Sequence, residues 1–401
     1  MSTLNVDKVD PNTGTALEIG TSGDTITVPS GATFVVAGTT EITGTNNVQR
    51  PNVNPLIING DMAINQRGDS TGVTATGYDC VDRWKNQSAN FGTFSFSQST
   101  DVPSGEGFKN SVKLDCTTAD ASYGASDHFT FQTRLEAQDL GVFKFGTSNA
   151  EKQTLSFWIK SNLTGNFVVL LYRSDSSRQC CQLVNIASAD TWEKKIVNYP
   201  ADTTGVPPVD SGDGLSVQFI LGVGSDYTSG TLATTWAGYV AANYAVGQAI
   251  NLSSSTSNEM FITGVQLEVG EYTSSTIPPF QHESYGDNLA RCQRYYTKIA
   301  EGASQPIHIG YVYNSTQASA TILLPNPMRE TPSIDQTSGT SYYRFQADAS
   351  NYAFDSFTFD YGTGNQVVAI RTTSISGLTG AQTGCFQATD ASSYFAFDSE
   401  L

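Results

Sequence analysis

The chain has 401 residues, of which 21 are Lys or Arg and 38 are Asp or Glu, so its formal net charge at pH 7 is −17. A surface this acidic repels phosphate backbones and anionic lipid headgroups, which argues against a nucleic-acid-binding protein and against a peripheral membrane protein. Charged residues make up only 15% of the chain. This composition is typical of a β-rich protein whose surface is polar but mostly uncharged.

The first 53 residues form a compositionally distinct segment, because Phe34 is the only aromatic residue before Tyr78. Short β-prone pieces at 25–28 and 33–38 are separated by Gly, Asn, Pro and Ser. Such a segment buries too little apolar surface to fold by itself. Residues 1–53 are therefore predicted to be a short β-rich stalk or anchor that becomes ordered in an assembly, and a disordered tail is the alternative.

Signals for export or membrane insertion are not found in the sequence. Residues 1–30 contain neither the basic nor the apolar region of a signal peptide, so the chain is expected to be made in a cytoplasm. The longest apolar runs, such as 167–171, are far shorter than the roughly 20 residues that cross a bilayer. The six cysteines include no CxxC pair, and they are predicted to be free, mostly buried thiols.

Residues 54–285 are predicted to form one all-β domain, a sandwich of two sheets. Strand-length segments of alternating apolar and polar residues recur there between turns rich in Gly, Pro and Asp. The clearest of these segments are 91–98, 128–132, 154–160, 215–224 and 260–270. Helical periodicity is nearly absent, and one short helix is predicted over 284–294, where this domain ends.

Residues 286–401 are predicted to form a smaller C-terminal β-sandwich that begins with this helix and is rich in aromatic residues. The block 341–361 mixes aromatic rings with Asn, Asp and Gln side chains, which is a combination suited to sugar binding. Tyr342, Tyr343 and Tyr352 are the candidate glycan contacts, because a phenol group can face water while its ring stacks on a ligand. Burial of the same rings in the sandwich core is the alternative.

Motifs for catalysis, nucleotide binding and metal binding are missing from the sequence. The three histidines, His128, His282 and His308, show no metal-ligand spacing, and no GxxxxGK[ST], GxGxxG or GxSxG motif occurs. With 38 acidic residues, no particular pair can be selected as the carboxylates of a glycosidase. The chain is therefore expected to be neither an enzyme nor a cofactor or metal protein. A calcium site built from Asn and Asp oxygens stays open as an alternative.

Motifs between residues 54 and 296 resemble those of bacteriophage tail-fibre and receptor-binding proteins in both order and spacing. They are NPLIINGDM at 54–62, NQRG at 65–68, YDCVDRW at 78–84, LSFWIK at 155–160, GQAINL at 247–252, ITGVQLEVG at 262–270, PFQH at 279–282 and YGDNLARCQRYY at 285–296. The stretch TLNVDKV at 3–9 is similar to the start of virion fibre proteins from marine and cyanobacterial phages. One departure is PPFQ at 278–281, where the pattern more often reads ATPFE.

This resemblance implies an all-β, homotrimeric fibre of the virion, assembled in the host cytoplasm, with a jelly roll like those of carbohydrate-binding modules. It implies that residues 1–53 dock on tail or adaptor proteins and that the fibre attaches the particle to a glycan on the host surface without catalysis. It also implies that Trp84 and Trp158 fill the sandwich core. The alternatives are a structural connector or decoration fibre with no receptor, and a tailspike that depolymerises polysaccharide.

Overall fold

The computed structural model describes residues 55–401, and these residues form an all-β structure with a single α-helix, as the alternation predicts. They belong to one compact unit. The predicted anchor, residues 1–53, lies outside the described residues. No helix in the described part of the chain is long and apolar enough to cross a membrane.

Twelve strands build the sandwich in the first part of the described chain. In chain order they are β1 (Ser70–Val73), β2 (Trp84–Ala89), β3 (Thr93–Ser99), β4 (Ser111–Thr118), β5 (His128–Glu136), β6 (Gln153–Ser161), β7 (Gly165–Arg173), β8 (Arg178–Ile186), β9 (Glu193–Tyr199), β10 (Asp213–Val223), β11 (Ala237–Gly238) and β12 (Glu259–Val269). Sheet A has the order β1-β3-β4-β12-β6-β9, and sheet B has the order β11-β8-β7-β10-β5-β2. This pair of antiparallel six-stranded sheets confirms the predicted jelly-roll sandwich.

The core of this sandwich lies between sheets A and B and is filled by inward-facing aromatic and aliphatic side chains. Phe157 of β6 meets Phe219 of β10 with ring centroids 4.9 Å apart, and Trp84 stacks on Phe131 at 5.3 Å. The predicted core position of Trp84 is therefore confirmed. The predicted core position of Trp158 is wrong, because Trp158 follows the inward-facing Phe157 and successive strand residues face opposite sides.

Asn59 ties the start of the described chain to this sandwich. It is buried and has a φ of 55°, a left-handed conformation that Asn tolerates better than most residues. Its side-chain amide donates to the carbonyl oxygens of Ile64 and Asp82, both at 2.9 Å, and its side-chain oxygen accepts from the Ile64 N–H. The indole of Trp84 donates to the Asn59 carbonyl at 3.1 Å. Asn59 thus satisfies several buried backbone groups that would otherwise lack partners.

The helix α1 (Tyr285–Gln293) agrees with the predicted helix over 284–294. The Ser284 hydroxyl caps it by accepting from the Asp287 N–H at 3.2 Å, and the Asp287 carboxylate suits the positive end of the helix dipole. Four short 3-10 helices complete the helical structure of the described residues: Ala137–Phe143, Ser225–Tyr227, Ala241–Asn243 and Leu252–Ser254.

Ten further strands form a second, smaller sandwich. In chain order they are β13 (Tyr296–Glu301), β14 (Pro306–Asn314), β15 (Gln317–Leu323), β16 (Ser333–Gln336), β17 (Tyr343–Ala347), β18 (Ser350–Phe354), β19 (Phe357–Phe359), β20 (Val367–Thr372), β21 (Thr383–Ala388) and β22 (Tyr394–Asp398). Sheet C has the order β13-β22-β16, and sheet D has the order β18-β17-β21-β14-β15-β20-β19. Aromatic rings of both sheets share one core. The predicted boundary between residues 285 and 286 stays a prediction.

Buried arginines join the two sandwiches. Arg83 is 1% exposed, pairs with Glu400 and holds its guanidinium 3.4 Å from the ring centroid of Tyr295. Arg67 pairs with the same Glu400 at 3.3 Å and lies 3.6 Å from the ring centroid of Tyr296. Burial is the largest single influence and by itself lowers the pKa of each guanidinium, but Glu400 and the other groups around each arginine together outweigh burial and raise both pKa values. Arg67 also pairs with Asp398 at 3.0 Å, so among the described residues Arg83 is the buried cation whose counter-charge comes from Glu400 alone.

Replacing Glu400 by Ala is expected to lower the free energy of unfolding by about 3–5 kcal/mol, because the change leaves the buried guanidinium of Arg83 without its counter-charge, whereas Arg67 keeps Asp398. The matched control is Glu271→Ala, which removes a pair with Lys152 whose side chains are 55% and 54% exposed and which is worth at most about 1 kcal/mol. Urea unfolding at pH 7, followed by tryptophan fluorescence, measures both changes. Equal losses in the two variants would contradict burial as the cause.

Candidate functional site

One of the three predicted glycan contacts, Tyr343, lies inside the C-terminal core. Its hydroxyl donates to the carbonyl oxygens of Thr337 at 3.0 Å and Tyr394 at 2.6 Å, and its side chain has no exposed surface. This burial raises the pKa of Tyr343 above the usual value for tyrosine. The prediction that Tyr343 contacts a ligand is wrong, because its ring and its hydroxyl are both used inside the protein.

Tyr342 and Tyr352 pack half-buried against the same core. Tyr352 lies opposite the buried Phe345 in the β17–β18 pair, and directly opposite residues of antiparallel strands face the same side of a sheet. The ring of Tyr352 therefore covers the core rather than standing out from the sheet. A role of Tyr342 and Tyr352 in glycan binding stays a prediction.

A different group of polar side chains shares the outer face of sheet B. Gln132 of β5 lies opposite Lys85 of β2 on one side and opposite Gln218 of β10 on the other, so these side chains form a row across the sheet. The residue two positions away on each strand faces the same side and adds a second polar side chain per strand. The six residues, called the polar patch below, are Lys85, Gln87, Gln132, Arg134, Ser216 and Gln218.

Side-chain hydrogen bonds connect the residues of the polar patch but leave some of its hydrogen-bond donors and acceptors without a partner. The Gln87 Oε1 accepts from the Gln132 amide at 2.8 Å and from the Arg134 guanidinium at 3.1 Å. The Gln218 amide donates to the Ser216 hydroxyl at 2.7 Å. Gln132 is fully buried, yet its Oε1 accepts no hydrogen bond within the described residues, and the Nε of Arg134 donates none. Both atoms are buried, so a hydroxyl group of a ligand would use this acceptor or this donor after displacing the side chains that cover them.

Tyrosine rings border the polar patch on one side. The segment 225–250 crosses the outer face of sheet B and packs Tyr244 against β7 and β10, with the Tyr244 hydroxyl donating to Gln218. Tyr239 of the same segment is 43% exposed, and its ring centroid lies 6.1 Å from that of Tyr244 and 5.8 Å from that of Tyr172. Tyr172 stands on β7, next to the patch strand β10. An accessible aromatic edge therefore adjoins the polar patch.

The polar patch contains two cations, of which Arg134 is paired with a carboxylate side chain and Lys85, within the range that the structure describes, is not. Burial and the neighbouring Arg134 lower the pKa of Lys85 to about 8, so most Lys85 side chains are protonated at pH 7. The Lys85 ammonium lies 3.4 Å from the carbonyl oxygen of Leu401, whereas the Arg134 guanidinium lies 3.2 Å from the carboxylate of Asp213. Lys85 can donate to a further acceptor at this surface.

The carboxylate of Glu136, at the end of β5, has a structural use. It accepts from the Arg294 guanidinium at 2.6 and 2.7 Å and from the Tyr295 hydroxyl at 2.6 Å. Burial favours the protonated form, but these hydrogen bonds outweigh burial and lower the pKa of Glu136. An ionised carboxylate cannot act as the general acid of glycoside hydrolysis.

Among residues 55–401, no group of three His, Cys, Asp or Glu side chains is placed to hold a metal ion.

The polar patch is not among the sites predicted from the sequence. The only trace of the patch in the sequence is a glutamine at a polar position of each of two predicted strands. These are Gln132 in the segment 128–132 and Gln218 in the segment 215–224. A polar residue at an outward strand position is ordinary, so each Gln by itself indicates nothing. The strand pairing, which the alternation does not contain, is what shows that the two amides meet.

No protein-family model and no curated protein matches the chain. Among solved structures, the enzymatically active domain of bacteriophage CBA120 tailspike protein 4 is similar over 54% of this chain and 21% of that chain, with 12% identity and a TM-score of 0.26. The chain thus spans about a fifth of that tailspike chain.

Two carbohydrate-binding modules show a comparable level of similarity. The family 11 module from Clostridium thermocellum, in complex with a β-1,3-1,4-mixed-linked tetrasaccharide, is 10% identical over 53% of this chain and 99% of its own, with a TM-score of 0.26. A xylan-binding domain from Paenibacillus barcinonensis is 9% identical over 55% of this chain and 97% of its own, with a TM-score of 0.25. Similarities this low assign no function to the chain.

Lys85 is expected to titrate with a pKa of about 8 in the folded protein, because burial and the charge of Arg134 disfavour its ammonium form. The change Arg134→Gln removes the like charge and should move this pKa toward the usual value of about 10.4. An NMR titration of isotope-labelled lysine side chains, assigned with Lys85→Gln, measures both values. Lys113, which pairs with Glu259 at 2.7 Å, should titrate at higher pH and is the internal control.

The same pKa change predicts how stability depends on pH. Between about pH 8 and 10 the unfolded chain keeps the Lys85 proton while the folded chain releases it. The free energy of unfolding of the wild type should therefore rise with pH in this window relative to that of Lys85→Gln. Parallel curves for the two proteins, or a Lys85 signal that titrates near 10, would show that the patch does not perturb Lys85.

Proposed function

We propose that the protein is a non-enzymatic bacteriophage tail-fibre protein that attaches the virion to a glycan on the host surface. The polar patch with its bordering tyrosines is the proposed glycan site. The observation that carries this assignment is the buried Oε1 of Gln132, which lacks a hydrogen-bond partner and lies on the sheet face that Tyr239 borders. The tail-fibre part of the proposal rests on the resemblance of the motifs between residues 54 and 296.

The chemistry of the polar patch fits a sugar. Sugars present hydroxyl groups at their edges and apolar C–H groups on their faces, so a site needs paired donors and acceptors beside an aromatic ring. The Gln132 Oε1 would accept from one hydroxyl, and the Lys85 ammonium or the Arg134 Nε would donate to another. The ring of Tyr239 would pack on the face of the sugar.

The position of the polar patch on a sheet favours binding. Its side chains stand on three neighbouring strands of sheet B and are already held by hydrogen bonds to one another, as the contacts of Gln87 show. Groups that are ordered before binding lose little conformational entropy when a ligand arrives. A shallow site of this kind can therefore hold a sugar with few contacts.

The proposal includes a homotrimer in the virion, with residues 1–53 docked on tail or adaptor proteins. Three sites on one fibre raise the apparent affinity about 10²–10⁴-fold without any new contact. Such avidity suits a shallow site of low intrinsic affinity. The proposed attachment needs no cofactor and no catalytic residue.

Glycan binding by the full chain tests the proposal. The wild type is expected to bind a bacterial surface glycan on an array, and calorimetry with the best ligand then gives the affinity. Tyr239→Ala and Gln132→Leu should each weaken binding about fivefold or more, since each removes a contact worth about 1 kcal/mol. Tyr361→Ala, which truncates a tyrosine that is 93% exposed and outside the patch, should leave the affinity unchanged.

Three outcomes would contradict this function. A wild type that binds no glycan on the array would remove the attachment role and favour a structural connector. Variants that fold, as judged by thermal unfolding, and keep full affinity would exclude the polar patch as the site. Release of reducing ends from the bound polysaccharide, which is not expected, would identify a depolymerising tailspike.

A further inference from the structure

Sheet D exposes large apolar side chains on its outer face. Along β14, Val312 is buried in the core, whereas Ile309, Tyr311 and Tyr313 point the other way and are 72%, 49% and 67% exposed. The inner face of the same sheet packs against the aromatic core that it shares with sheet C. The exposed residues of β14 therefore do not belong to the core. They occupy the outward positions of a central strand of sheet D.

The exposed side chains form a continuous stripe over three adjacent strands. Tyr311 lies opposite Ser319 of β15, and this register places Leu323 diagonally beside Ile309. Leu323 in turn lies opposite Val367 of β20, and these two side chains are 69% and 43% exposed. The apolar stripe, as it is called below, consists of Ile309, Tyr311, Tyr313, Leu323 and Val367. Its exposed apolar area is on the order of 500 Å², comparable to the largest apolar patch of a typical monomer, which is often functional.

The face around the apolar stripe is almost free of charge in a chain of net charge −17. The three central strands of sheet D, β21, β14 and β15, lie within residues 302–328 and 372–389, two stretches with no Asp, Glu, Lys or Arg. The outward strand positions of the whole sheet carry only two charged side chains, Arg344 and Arg371. Asp360 reaches the face from its edge. Two copies of this acidic chain can therefore meet through this face with little charge repulsion.

Polar side chains around the apolar stripe bond to one another rather than to a ligand. The Ser319 hydroxyl donates to the Asp360 carboxylate at 3.0 Å. The Arg344 Nε donates to the Gln387 Oε1 at 2.8 Å, and the Gln387 amide donates to the Gln346 Oε1 at 3.2 Å. A sugar needs free donors and acceptors, which the polar patch offers and these residues do not. A protein face needs apolar area, which the apolar stripe offers.

We propose that the outer face of sheet D is buried between copies of this chain, with the apolar stripe at the centre of the contact. The occupant is a second copy, because a near-neutral, tyrosine-containing face lets copies of a strongly acidic chain meet with little charge repulsion. A stable contact buries about 800 Å² per partner, so the rim around Thr321 and Thr383 would join the stripe. The inference rests on the proposed homotrimer. It identifies the outer face of sheet D as the surface through which the copies contact one another.

The mass of the full chain in solution, measured by light scattering over a range of concentrations, tests this contact. The wild type is expected at a multiple of 42.9 kDa, and the double variant Tyr313→Glu/Leu323→Glu at 42.9 kDa. Both substituted side chains are more than 65% exposed, so the fold should survive, and circular dichroism checks this. The control Val209→Glu places the same charge at a loop residue that is 91% exposed, and it should keep the wild-type mass.

Alkylation of Cys385 gives a second measurement that does not depend on mass. Cys385 lies opposite Ile309 on β21 and is half-buried, whereas the other five cysteines are buried free thiols. Iodoacetamide followed by mass spectrometry should leave Cys385 protected in the wild type and label it in the double variant. Equal labelling in both proteins would contradict burial of this face. If the double variant does not fold, Tyr313→Glu alone serves for both measurements.

The outcomes separate this inference from the proposed glycan site. A wild-type oligomer that persists in the double variant would overturn the contact but not the trimer. A monomeric wild type would overturn the contact and the trimer, while the Tyr239→Ala and Gln132→Leu measurements decide on glycan binding independently. A monomeric wild type whose glycan binding is lost in the double variant would overturn the contact and identify the apolar stripe as a sugar platform.

Discussion

Two buried guanidinium groups fix how the two sandwiches meet. Arg67 and Arg83 come from the first sandwich, yet their shared carboxylate, Glu400, comes from the far end of the described chain. Removing a cation from water costs several kcal/mol unless an opposite charge compensates it. The rings of Tyr295 and Tyr296 lie against the same guanidinium groups. The junction can therefore be buried only when Glu400, which follows the last strand of the second sandwich, lies next to Arg83.

Three consecutive residues show how the junction, the core and the proposed site depend on one another. Arg83 faces the ion pair at the junction, Trp84 stacks on Phe131 in the core, and Lys85 stands on the outer face opposite Gln132. A shift of one residue in the register of β2 would move Trp84 to the outer face of the sheet and place a charged side chain in the core. The ion pair and the indole thus hold the register on which the polar patch depends.

The outer faces of sheets B and D differ in the groups that they offer to a binding partner. On sheet B, buried groups such as the Gln132 Oε1 lack hydrogen-bond partners beside accessible tyrosine rings. On sheet D, polar pairs such as Ser319 with Asp360 and Arg344 with Gln387 bond to each other, and large apolar side chains remain exposed. The first face fits a ligand with hydroxyl groups and the second fits a protein surface. In the two proposals, the sugar and the second copy would therefore occupy separate sheets.

Local patterns of the sequence determined the all-β class, the two sandwiches and the single helix with its Ser284 cap, because alternation and capping involve only near neighbours in the chain. The tertiary structure decided which rings are accessible. Tyr343 and Tyr239 both stand in polar, aromatic stretches, but two carbonyl groups of the core bind the hydroxyl of Tyr343, whereas Tyr239 is exposed. The sequence also could not bring Gln132 to Gln218, because the pairing of distant strands follows from the packing of the whole sandwich.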